Sequence, residues 1–158
     1  MVYQQTADFS VTAHAAEVRQ ASAWLAQMCG GWGMPTESIG RLDLCLNEVL
    51  ANIIDHGTDA AAGAPIELQL SVRCHGGAGD DRDAGAVTLT VADAGAPFDP
   101  LTVKPRPFPV SLDDVEPGGL GLPIVRSNAD TLAYRRENGR NYLSVGVMWP
   151  RAINPRVQ

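Results

Sequence analysis

From Ile39 onward the apolar positions recur three and four residues apart. Ile39, Leu42, Leu46, Val49, Leu50 and Ile53 form one stripe at about 100° per residue, the pattern of an amphipathic helix. The preceding "MPTES" supplies a proline, a capping hydroxyl and an early glutamate, which favour a helix start, and Gly57 suits the end. An earlier helix is predicted over His14 to Cys29, where Trp24, Leu25 and Met28 keep mostly helical spacing until "GGWG" breaks it. Before it, Phe9 to Ala13 reads as a short strand. Period-two alternation then takes over: Ile66 to Val72 and Val87 to Val91 predict half-buried strands. Their connection, "CHGGAGDDRDAGA", is a solvated hairpin turn, because Asp80, Asp81 and Asp83 lack the spacing and closing glutamate of a calcium loop. A helix is predicted from about Leu120 to Asp130, followed by "TLAYRRENGRNYLSVGVMW", two strands joined around Asn138 and Gly139.

That order predicts an α+β fold: a two-layer sandwich with helices on one face of a mixed, mainly antiparallel sheet. Residues 1–150 are expected to form a single domain, with a frayed tail at 151–158. Six prolines from Pro97 to Pro117, without apolar periodicity, make a connection too long for a simple turn. It is a candidate lid, at about 97–117. There is no internal repeat.

Charge narrows the partners. A net charge of -6 disfavours a sequence-independent grip on nucleic acid or an anionic membrane, and points to proteins or a metal-complexed anion. Cys29, Cys45 and Cys74 are odd in number and set among apolar residues, which predicts buried free thiols in a reducing compartment. The amino terminus has no secretory pattern, and no run of eighteen apolar residues occurs. A soluble, cytoplasmic protein is expected.

Three clusters carry candidate chemistry. On the predicted helix "LDLCLNEVLANIIDHG", Glu48, Asn52 and His56 lie four residues apart, with Glu48 and Asn52 opposite the apolar stripe; Leu44, Cys45 and Ala51 flank them, so something partly covers this second face. In "VTLTVADAGAPFDP", Asp93 shares strand parity with Val87, Leu89 and Val91 and so points to the core face at the strand's end. A carboxylate there needs donors, which either a ligand's N–H or its own backbone in an Asp-Ala-Gly turn supplies. Gly95 removes bulk beside it. In "EPGGLGLPIV", Gly118, Gly119 and Gly121 lead into a helix, either as a flexible linker or as a loop whose N–H groups face a phosphate. No P-loop lysine follows and no βαβ unit precedes it, so neither a Walker site nor a dinucleotide fingerprint fits.

Taken in order, "NEVLANIIDHG", "DAGAPFDP" and "GGLGLPIV" resemble the N, G1 and G2 boxes of the ATPase and kinase superfamily that includes gyrase and sensor histidine kinases, with its Bergerat ATP-binding fold. Within it, the short chain and the closing "YRRENGRNYLSV" most resemble the anti-sigma-factor serine/threonine kinases of bacterial partner switching. The resemblance implies ATP and Mg²⁺ as cofactors. It makes Asn52 the Mg²⁺ ligand, Glu48 the general base, and Asp93 the acceptor for the adenine amino group, with Gly95 leaving room for the base. Gly118, Gly119, Gly121 and the backbone of Leu122 would cradle the phosphates, with Lys104 and Arg106 as lid contacts. His56 occupies a position where the family often has histidine. The implied partners are an antagonist protein with a serine or threonine acceptor and a sigma factor or similar regulator, and the implied assembly is a homodimer. Two other functions stand beside this one: a non-catalytic, nucleotide-dependent protein-binding regulator, and a histidine-kinase-like ATPase domain, disfavoured because no dimerisation helix with an acceptor histidine precedes the domain.

Overall fold

Alternating strands and two long amphipathic helices assemble as their apolar faces require. The computed structural model describes residues 2–56, 63–75, 84–102 and 121–150. In chain order these form β1 (Val2–Val11), α1 (Ala15–Gly31), α2 (Thr36–His56), β2 (Ile66–His75), β3 (Gly85–Asp93), α3 (Gly121–Asn128), β4 (Thr131–Glu137) and β5 (Arg140–Trp149). The five strands make one sheet in the order β1-β2-β3-β5-β4. Each neighbouring pair is antiparallel, so the parallel component allowed by a mixed sheet is absent among the described strands.

Register explains the core. Phe9, Leu68, Val91 and Leu143 lie side by side across four strands, and Ala7, Leu70, Leu89 and Val145 form the next row. Because side chains alternate, every member of these rows faces the same layer. The helices cover that face. Leu42, Leu46 and Leu50 of α2 are fully buried against it, each contributing about 1.5–3 kcal/mol of hydrophobic stabilisation. On α1, Ala21, Leu25 and Cys29 repeat every fourth residue and are fully buried. Trp24 stacks on Phe9 with ring centroids 5.3 Å apart, closing the layer over β1. The other sheet face carries polar residues such as Glu67, Gln69 and Arg73, all exposed, with the Thr90 and Ser144 hydroxyls 3.1 Å apart.

α3 docks on α2 rather than on the sheet centre. Val125 is buried, its carbonyl accepts a weak bond from Cys45 Sγ at 3.8 Å, and the Asn128 carbonyl accepts from Arg41 Nη2 at 2.7 Å. Arg41 also pairs with Asp130 at 3.2 Å. Between β4 and β5, Asn138 (φ 50°) and Gly139 (φ 74°) both adopt positive φ, the two-residue type I′ geometry that Asn-Gly favours.

One boundary differs markedly from the sequence reading. The first strand begins at Val2, not Phe9, and ends at Val11. Its early residues are mostly exposed, so no burial pattern marks them, yet every one pairs with β2 from Val2 opposite His75 to Val11 opposite Ile66. Backbone pairing with a long neighbour extends the strand.

Candidate functional site

A pocket opens between the carboxyl-terminal half of α2 and the adjoining ends of β3, β4 and β5. It encloses about 580 Å³ with its open mouth included. From α2 come Val49, Asn52, Ile53 and His56, the i, i+3, i+4, i+7 set of one helix face. This corrects the face assigned to Asn52. Three residues along a helix place it about 60° from Val49, so Asn52 and His56 border the apolar stripe instead of opposing it. The floor is apolar, from Val91 and Leu143, and ends in the last register pair of β3 and β5, Asp93 opposite Asn141. Gly95, Ala96, Phe98 and Pro100, on the segment leaving β3, form the remaining wall with Tyr134. That segment is held to α3 by Arg126, whose Nη2 donates to the Pro100 carbonyl at 3.1 Å.

Asp93 stands at the polar end of the floor, as strand parity requires, and is half-buried. Its Oδ1 accepts from the Gly95 N–H at 2.9 Å and from Asn141 Nδ2 at 3.2 Å. The turn-forming bond and the pocket position therefore coexist in one carboxylate. Oδ2 accepts no hydrogen bond among the described residues. Gly95 is explained differently than the sequence suggested: a Cβ there would sit 2.8 Å from Asp93 Oδ1. The space kept free by glycine is occupied by the carboxylate of Asp93.

Asn141, Tyr134 and Arg136 escaped the sequence reading, although the signal was present. Asn141 shares strand parity with Leu143, Val145 and Val147, so it is a polar residue on the core face at a strand end, the same feature that singled out Asp93. It is 6% exposed. Its Oδ1 accepts from Tyr134 Oη at 2.6 Å and Arg136 Nη1 at 3.0 Å, while Nδ2 donates to Asp93 Oδ1 and, at 2.9 Å, to the Ala96 carbonyl. Arg136 Nη1 also donates to the Gly95 carbonyl at 2.9 Å.

The other candidates are distributed as follows. Glu48 is half-buried one turn before Asn52 on α2, outside the set of pocket-lining residues. Gly121 and Leu122 open α3, and Leu122 is not among the pocket-lining residues. Lys104, Arg106, Gly118 and Gly119, with most of the candidate lid, lie outside the described residues. Cys29 and Cys45 are buried free thiols, and burial pushes them up to about 12 and about 11; for Cys45 the nearby Arg41 charge acts weakly the other way. Cys74 is half-buried and also raised by desolvation. No described helix is long and apolar enough to cross a membrane.

A pocket with a strand-end aspartate facing a helix-borne asparagine matches the order of motifs in the sequence. The family model described as the histidine kinase-like ATPase domain matches residues 11–146, nearly the whole described fold. The chain belongs to that family. It is also similar to the serine/threonine-protein kinase BtrW of Bordetella bronchiseptica, with 36% identity over 104 residues. That match spans 66% of this chain and 66% of BtrW, just under two thirds of its length. Among solved structures, the RsbU and RsbW domains of Rv1364c from Mycobacterium tuberculosis superpose with a TM-score of 0.56 at 17% identity, over 96% of this chain and 34% of that one. At that identity the likeness is one of fold.

As a histidine kinase-like ATPase domain, the protein uses nucleotide, and the pocket residues fit one. Val91, Leu143, Ala96 and Phe98 give the pocket an apolar lining beside Asp93, whose Oδ2 accepts no hydrogen bond among the described residues. For a metal, the described residues contain no group of three or more His, Cys, Asp or Glu that could hold an ion. Mg²⁺ usually retains waters and phosphate oxygens, so one amide oxygen from Asn52 is a chemically adequate protein contribution.

Proposed function

We propose that the pocket binds ATP with Mg²⁺ and that the protein is a serine/threonine kinase of the anti-sigma-factor type. On this reading it phosphorylates a small antagonist protein and, as a homodimer, sequesters a sigma factor or similar regulator when the antagonist is modified. The observation that carries the reading is Asp93: a carboxylate fixed by two donors to Oδ1, with Oδ2 left for a third at the end of an apolar slot. An adenine amino group supplies that donor. A purine with a carbonyl at the same position would set two acceptors face to face and be rejected.

The remaining roles are those the resemblance of the sequence motifs implies. Asn52 offers its Oδ1 to the metal, which when bound offsets the charge of the phosphates. Glu48, one helical turn earlier, is the general base that takes the proton from the incoming serine or threonine hydroxyl. The backbone of Gly118, Gly119, Gly121 and Leu122 cradles the phosphates, assisted by Lys104 and Arg106. The name of BtrW, a serine/threonine-protein kinase, supports assigning phosphoryl transfer to protein over simple nucleotide binding.

The test is transfer itself. The protein, γ-labelled ATP and the products of neighbouring genes are incubated together, and labelled serine or threonine is sought. Glu48→Gln keeps shape and removes basicity, so ATP binding persists while transfer falls by about 10²- to 10⁴-fold. Transfer at the wild-type rate by that variant refutes Glu48 as base. Nucleotide binding without modification of any candidate replaces the kinase with a nucleotide-dependent binding regulator.

A further inference from the structure

The amide of Asn141 is unusual in having every valence used. An asparagine side chain offers two donors and two acceptor positions, and here Tyr134 Oη, Arg136 Nη1, Asp93 Oδ1 and the Ala96 carbonyl satisfy all four. Its orientation follows from chemistry. Turned over, the amide oxygen would meet a carboxylate and a carbonyl, and the NH₂ would meet a guanidinium and a hydroxyl. The residue is 6% exposed, so water cannot substitute for any of these partners at little cost.

Arg136 completes a closed circuit. One nitrogen, Nη1, bonds both Asn141 Oδ1 and the Gly95 carbonyl, while the Gly95 N–H bonds Asp93 Oδ1. Segments 41 residues apart are thereby joined: the β4–β5 hairpin grips the turn that leaves β3, at both its carboxylate and its backbone. A guanidinium beside the amide oxygen polarises the amide and strengthens the N–H it presents to Asp93.

We propose that Arg136 and Asn141 are positioning residues that set base selectivity by holding the Asp93 carboxylate in one rotamer, with Oδ1 saturated and Oδ2 aimed into the pocket. The inference rests on the reading of Asp93 as the acceptor for adenine. Without the brace, Asp93 rotates between its two turn-forming positions and presents Oδ2 only part of the time. Binding through the triphosphate and metal does not involve these residues and is left intact.

The experiment compares ATP with purine riboside triphosphate, which lacks the 6-amino group, by calorimetry in the presence of Mg²⁺. Wild type prefers ATP. In Asn141→Ala the preference for ATP over the purine analogue falls by about 10-fold, equivalent to about 1.4 kcal/mol, beyond any change in affinity that the two nucleotides share. Arg136→Met, which leaves the buried amide in place, moves the ratio in the same direction and carries the test alone if Asn141→Ala does not fold. An unchanged ratio in a folded variant, or equal weakening of both nucleotides, overturns the positioning role. A wild type that does not distinguish the two nucleotides overturns the Asp93 reading and the brace with it.

Discussion

Replacing Asp93 by asparagine changes one oxygen to an NH₂, and the surrounding bonds dictate which one. Position Oδ1 accepts from Gly95 N–H at 2.9 Å and Asn141 Nδ2 at 3.2 Å, so the oxygen of the new amide must stay there. Turning it over would oppose its NH₂ to two donors, at about 1–3 kcal/mol for each group left unsatisfied. The NH₂ is therefore forced into the pocket. Adenine then loses a charged acceptor, worth about 1.5–3 kcal/mol, and its amino group meets another donor. The two effects together weaken ATP binding by about 3 kcal/mol or more, roughly 10²-fold or more in Kd. Because both internal bonds survive, stability falls by no more than about 1 kcal/mol. The new NH₂ suits a 6-carbonyl, so ITP should gain affinity as ATP loses it. Calorimetric titration of wild type and Asp93→Asn with ATP and ITP, alongside circular dichroism, measures both effects. Unchanged ATP affinity in a folded variant would return Asp93 to a purely turn-forming role.

Other outcomes follow from the same geometry. Asn52→Ala should abolish the Mg²⁺-dependent part of ATP affinity while sparing the metal-independent part, measured by titration with and without EDTA; equal loss under both conditions would contradict a metal role. Burial holds the Cys29 and Cys45 thiols up at about 12 and about 11, so both should resist iodoacetamide at pH 8 until the protein unfolds, with mass spectrometry locating any label; early modification of either would contradict their packing. Asp130 is held below the usual carboxylate range, first by the Met148 backbone N–H at 2.6 Å and then by Arg41. A depressed folded-state pKa means its stabilisation is present above the unfolded value and lost as pH falls through the folded one. Asp130→Asn should accordingly flatten the acid limb of stability against pH, and an identical limb in urea titrations would remove this pair from the account.

Elements that bury an apolar face were legible because burial writes a period into the sequence. The stripe of α2 and the alternation of β2 and β3 come through, and the Asn138-Gly139 turn follows from local backbone chemistry. Residues 2–8 of β1 carry no such period, since their stability comes from pairing with β2 and not from what their side chains bury. The site divides similarly. The pocket position of Asp93 was legible from its parity, whereas Asn52, read as lying opposite the stripe, sits about 60° from Val49 and borders the core face. The brace went unread because Arg136 reaches Gly95 across 41 positions of sequence, a contact that only the sheet order creates. Asn141 was accessible to the argument used for Asp93, since both interrupt an apolar row at the same edge of the sheet.

The central claim, that the slot between α2 and the end of β3 receives adenine while Asn52 meets the metal, is tested most directly by a crystal structure with Mg²⁺ and a non-hydrolysable ATP analogue. The account predicts the adenine amino group within hydrogen-bonding distance of Asp93 Oδ2, the base flanked by Val91 and Leu143, and Asn52 Oδ1 among the ligands of the metal. A nucleotide bound elsewhere, or seated in the pocket with its 6-amino group turned away from Asp93, would contradict it.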